Sequence, residues 1–162
     1  MKIILILVGF ILMTGNLNAK PSWDEKVVAE YHKVGGLLMY GTYSNREEYP
    51  DAEKYLLKAI NYMKKEKMDM NSFEAADIYN SLGHIYSLLS NFSMFDNASE
   101  LNKDKTEFAI KNINESIMYL ELSYKIKKNL GKGYEDTTAD TKAMLNEKQA
   151  LLQKLQKRLS TF

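Results

Sequence analysis

An all-α fold is the class this sequence predicts, and composition supplies the first reason. Proline occurs twice and glycine eight times in 162 residues, while Lys, Glu, Leu, Ile, Ala and Met are plentiful, a mixture that favours long helices over short strands and tight turns. Apolar side chains also recur at intervals of three and four. No stretch alternates with a period of two over the length of a strand. At 45% hydrophobic and 27% charged residues, the chain after its leader suits one small domain, over 20–162, with a modest core.

The elements follow in order. Lys2 precedes the apolar run "IILILVGFILM" and a polar stretch ending "NLNA" before Lys20, which reads as a secretory signal peptide over 1–19 cleaved near Ala19. The run is shorter than the ~20 apolar residues of a membrane-spanning helix, so no stable span is expected after cleavage. Leu17, large for its place near the cleavage point, keeps a retained amino-terminal anchor as the alternative. The protein is therefore expected to be exported, to a periplasm or to the outside of the cell. A cysteine-free, Lys-, Asn- and Ile-rich chain suits a bacterial source and must hold together by packing alone.

Five helices are predicted, over about 23–41, 50–67, 72–90, 104–130 and 137–160. Ser22 precedes acidic residues of a first turn, Pro50 opens the second segment, and Asn71 or Ser72 caps the third. In the second segment Ala52, Leu56, Ala59, Ile60 and Met63 share a face, and in the fourth Ile113, Ile117, Leu120 and Tyr124 do so. The basic runs "KKEK" and "KIKK" read as solvated helix ends, where cations complement the carbonyl-rich terminus.

One glycine conflicts with its surroundings. Gly83 interrupts the amphipathic "IYNSLGHIYSLL", although glycine costs about 1 kcal/mol against alanine inside a helix. The same pattern occurs earlier: Tyr31, Val34, Gly35 and Leu38 stand at the offsets of Tyr79, Leu82, Gly83 and Tyr86. Each copy is followed by small, large and small residues at offsets 0, 4 and 7, namely Ala52, Leu56 and Ala59, then Ser116, Leu120 and Ser123. A bare backbone on one helix and small residues on the next permit close approach. This internal repeat resembles the tetratricopeptide repeat. The copies are 48 residues apart against ~34 in that family, because both hairpin turns and their connection are longer, and Ala109 competes with Ser116 for the same place.

The resemblance implies two antiparallel helical hairpins in a right-handed stack, over about 23–67 and 72–130, closed by a capping helix over about 137–160. It also implies a concave face on the first helix of each hairpin. His32, Met39 and Tyr40 fall there in the first copy, and Asp77, Asn80, His84 and Ser87 in the second. These would meet an extended peptide or a partner's helix. Tyr43 and Tyr49 in one lengthened turn, with Phe92 and Phe95 in the other, would form an apolar rim, unless "NFSMF" extends its helix and tucks onto the core.

Other chemistries find little footing. A formal net charge of +1 supplies no basic footprint for nucleic acid. With no cysteine, and with histidine only at 32 and 84, neither a Cys–His pair nor a metal-binding spacing exists, and no glycine-rich phosphate cradle is spelled out. No enzyme, metal or cofactor is expected. The function predicted is that of an exported interaction module for an unidentified protein or peptide. The alternative is a structural or self-associating subunit, a homodimer through the stripe Leu145, Leu152, Leu155, Leu159 and Phe162, although capping of the preceding hairpin by that stripe is preferred. A small-ligand carrier or hydrolase would require a closed pocket lined by Tyr40, Tyr43 and His84.

Overall fold

The computed structural model describes Lys26, Val27, Glu30 and Lys33, then residues 49–95, those from 91 onward for their backbone alone, and 102–162. The described residues form an all-α structure: α1 (Tyr49–Lys65), α2 (Phe73–Phe95), α3 (Lys103–Leu130) and α4 (Glu135–Leu159). Lys26, Val27, Glu30 and Lys33 are helical too, inside the first predicted segment. Tyr31, Val34, Gly35 and Leu38 of the first motif copy lie outside the described residues. Among the described residues no helix is long and apolar enough to cross a membrane. The leader over 1–19 lies outside them as well.

Local chemistry explains the boundaries. Pro50 and Asp51 stand in the first turn of α1, and Lys64 and Lys65 in its last, the favoured charge order for a helix dipole. The helix closes in a Schellman motif: the Met68 N–H donates to the Met63 carbonyl at 3.0 Å and the Lys67 N–H to that of Lys64 at 3.2 Å. The left-handed position of that motif, φ 54°, is held by Lys67. Ser72 caps α2, its hydroxyl accepting from the Ala75 N–H at 3.2 Å. Asn102 caps α3 through the Lys105 N–H at 2.9 Å, and Gly131, at φ 73°, ends it. The α4 helix begins two residues earlier than the sequence predicts.

Leu56, Ala59 and Met63 of α1 cluster with Ile78, Leu82 and Ile85 of α2 and with Ile126 of α3, all buried, and Val27 joins them. A second, smaller cluster joins Ala109 and Ile113 of α3 to Leu155 of α4, with Leu151 and Leu152 beside it. Each fully buried aliphatic side chain contributes about 1.5–3 kcal/mol. Of the carboxy-terminal stripe, Leu145 and Leu155 are buried, Leu152 and Leu159 are half-buried, and Phe162 is exposed.

The α2–α3 pair meets at Gly83. A Cβ built there would stand 2.6 Å from Leu120 Cγ and 3.1 Å from the Ser116 carbonyl oxygen, so glycine is what admits the neighbouring helix. Ala52, Ala59, Ser116 and Ser123 are buried with Leu56 and Leu120, as the small–large–small pattern requires.

Candidate functional site

The stripe Asp77, Asn80 and His84 on α2 is where a docking face is expected, and α4 approaches it. The Asn80 Oδ1 accepts from the Thr141 hydroxyl at 3.0 Å. That hydroxyl is also 2.8 Å from the Thr137 carbonyl, so its one proton alternates between two acceptors. The Lys127 ammonium donates to Thr141 Oγ1 at 3.1 Å. Lys127 and Thr141 are 3% and 1% exposed, so the chain Lys127–Thr141–Asn80 is a buried polar network at the junction of three helices. Burial pulls the Lys127 pKa below its ordinary value, and the Asp77 and Asp140 carboxylates act the other way. Lys127 Nζ lies 5.8 Å from the Phe73 ring centroid, and Phe73 in turn stacks on Tyr134 at 4.9 Å.

His84 stands further along the stripe and is exposed. Partial enclosure of its ring lowers its pKa, the nearby Lys148 ammonium lowers it further, and Glu147 opposes both. Lys148 is paired with Glu147 at 2.7 Å. Asp77 and Asn80 are half-buried, so the stripe is open at His84 and joined to α4 at Asn80.

The remaining expected site residues divide. His32, Met39, Tyr40 and Tyr43 lie outside the described residues. Ser87 is 3% exposed and is not a surface group: it follows Gly83 by one turn, on the side of α2 that the other helices cover. Tyr49 is 7% exposed and belongs to the core at the start of α1, not to an open rim. Phe92 and Phe95 belong to α2, which continues to Phe95, so of the two courses expected for "NFSMF" the backbone follows the helical one and not the rim loop. The run "KIKK" is not wholly solvated either. Lys127 falls seven residues after Leu120 and four after Ser123, on the buried face of α3, and that periodicity was the available signal for it. Thr141 had no comparable signal, because its role depends on how α4 is laid down.

Two further arrangements involve α1. Tyr119 of α3 stacks on Tyr86 at 5.6 Å and on Tyr79 at 6.1 Å, and the Tyr86 hydroxyl donates to Glu53 Oε1 at 2.5 Å, tying α1 to α2. Beside α1, a groove of about 670 Å³ is lined by Lys26, Glu30, Lys33, Lys58 and Tyr62 among others. Lys33 Nζ donates to the Tyr55 hydroxyl at 2.8 Å, which raises the lysine's pKa, and the Glu30 Oε2 is buried without a hydrogen-bond partner.

Comparison of the chain with protein families, with curated proteins and with solved structures returns no match.

Proposed function

We propose that this chain is an exported, non-enzymatic docking module built on tetratricopeptide-like helix pairing, which receives a peptide or a helix of a protein partner along α2. The single observation that carries this reading is the approach of α3 to the bare backbone of Gly83, where Leu120 and Ser116 occupy the space a side chain would fill. That contact is what the motif requires, and it leaves the neighbouring turn of α2 carrying His84 toward solvent. Short helical arrays of this kind bind partners through side chains on the first helix of each pair. The capping position of α4 supports the same reading, since an array's last hairpin needs its apolar side covered.

The test replaces His84 alone, then Asp77, Asn80 and His84 together, with alanine. Partners captured by crosslinking the full chain in its native cells are identified and then titrated as purified proteins. Retained helicity with lost binding in the triple variant is the expected outcome. Undiminished binding by a folded triple variant removes the α2 face from the reading.

A further inference from the structure

The turn joining α3 to α4 bends around an open hollow of about 480 Å³ whose walls include Tyr124, Lys127, Lys128, Lys132, Glu135 and Lys142. With the Lys127 ammonium turned inward to Thr141, Lys128, Lys132 and Lys142 share the walls with one carboxylate, that of Glu135, which already accepts the Gly133 N–H at 2.7 Å. The Lys103–Glu107 and Lys148–Glu147 ion pairs lie outside the hollow. The Lys142 ammonium instead rests 5.3 Å from the Tyr124 ring centroid, a contact of about 0.5–1 kcal/mol at an exposed site.

We propose that this hollow binds an acidic peptide segment, an extended stretch of a protein partner whose carboxylates meet Lys128, Lys132 and Lys142. Three features favour a peptide over a lone oxyanion. The hollow is open, so a chain can run through it. Its cations come from both helices and from the turn between them, which spreads the charge along a path and does not focus it on a point. They are all lysines, compact charges on flexible stems that follow successive carboxylates without the fixed fork geometry by which arginine grips one planar anion. Lys127 forms part of the wall with its ammonium already buried, and a negative ligand alongside would offset the cost of that burial.

Fluorescence anisotropy with the full chain and a fluorescein-labelled peptide of alternating Asp and Glu tests the proposal, with the matching Asn and Gln peptide and inorganic phosphate as separate arms. Saturable binding of the acidic peptide alone is expected. It should weaken by about tenfold or more between low and high salt, and by about tenfold or more when K128E, K132E and K142E are combined. Helicity is followed by circular dichroism; if the triple reversal perturbs it, K128Q with K132Q serves, with a weakening of about threefold expected. Equal binding of the neutral peptide, unchanged affinity in a folded lysine variant, or saturation by phosphate at lower concentration than the peptide would each overturn the proposal. Lys128, Lys132 and Lys142 take no part in the α2 stripe, so failure here leaves the docking reading of α2 intact, and loss of that reading leaves this hollow to be judged by its own titration.

Discussion

Ser116 Oγ donates a 2.6 Å hydrogen bond to the Gly83 carbonyl oxygen across the α2–α3 interface. The bond and the missing side chain are two halves of one device. Without a Cβ at 83 the helices close far enough for a short serine to reach across, and the serine then holds them at that separation. The interface places α2 so that Asn80 meets Thr141 of α4 and His84 stays open.

Gly83→Ala should therefore destabilise the protein although alanine is the better helix former. The new methyl would stand 2.6 Å and 2.9 Å from Leu120 Cγ and Cδ2. Overpacking of this kind costs about 1–3 kcal/mol, against about 1 kcal/mol of propensity gained, for a net loss of up to about 2 kcal/mol in urea denaturation. Adding Leu120→Ala removes the clash, so the double variant should cost less than the sum of the two single ones. Strict additivity would show that the contact is not what constrains position 83.

The two serines of the same pattern should behave oppositely. Ser116 makes its bond, whereas Ser123 is fully buried with its hydroxyl unpartnered. Ser116→Ala should lose about 1 kcal/mol. Ser123→Ala should gain about 1 kcal/mol, because an alanine there buries no orphaned polar atom. Thermal melts of both variants check the sign of each.

These residues also mark how far the sequence could be read. The helix class, most boundaries and the Gly83 interface were legible because they rest on periodicity and on a residue whose local cost demands a compensating neighbour. Ser87 departs from expectation because a motif's exposed positions presume standard neighbours and here the residue is buried, and Tyr49, expected in a lengthened turn, instead opens α1 and joins the core. For "NFSMF" the sequence leaves a rim loop and an extended helix both open, and the backbone takes the helical course to Phe95. The Lys127–Thr141–Asn80 chain joins residues from three helices and has no signature within any one of them.

Alkaline pH should loosen the α1–α2–α3 junction. Burial and the bond to Glu53 both raise the Tyr86 pKa, and burial raises those of Tyr79 and Tyr119. A group whose pKa is raised by folding contributes stability that is fully present below its unfolded value, here ~10, and that is lost as pH rises toward the folded one. Stability should therefore fall above about pH 10. Tyr86→Phe should cost about 1 kcal/mol at neutral pH and flatten the alkaline decline. A decline of unchanged steepness in that variant would place the sensitive group elsewhere.

The Schellman turn after α1 carries a residue poorly suited to it. Lys67 occupies a left-handed conformation in which a Cβ is crowded, at a cost of about 1 kcal/mol. Its backbone N–H is engaged with Lys64, and a glycine would make the same bond. Lys67→Gly should stabilise the protein by about 0.5–1 kcal/mol, read as a higher urea midpoint with unchanged slope.

Lys127 offers the sharpest test of the buried network. Its ammonium is enclosed between α3, α4 and Phe73, and burial lowers its pKa. Below that lowered pKa the folded state bears the full cost of keeping the charge, and the cost is relieved as pH rises from the folded pKa toward the ordinary value of 10.5. Lys127→Met retains the stem and removes the charge, and the Thr141 hydroxyl can still donate to Asn80. Such replacements of buried charge are commonly neutral or stabilising. A gain of about 1 kcal/mol is expected at pH 7, with the melting temperature higher by about 2–4 °C. The gain should shrink as pH approaches 10, since the wild-type lysine then sheds its proton and the difference between the two side chains narrows. A loss of stability at pH 7 would instead show that Asp77, Asp140 and Thr141 together hold the charge more firmly than burial opposes it, and that α4 depends on the ammonium for its seat.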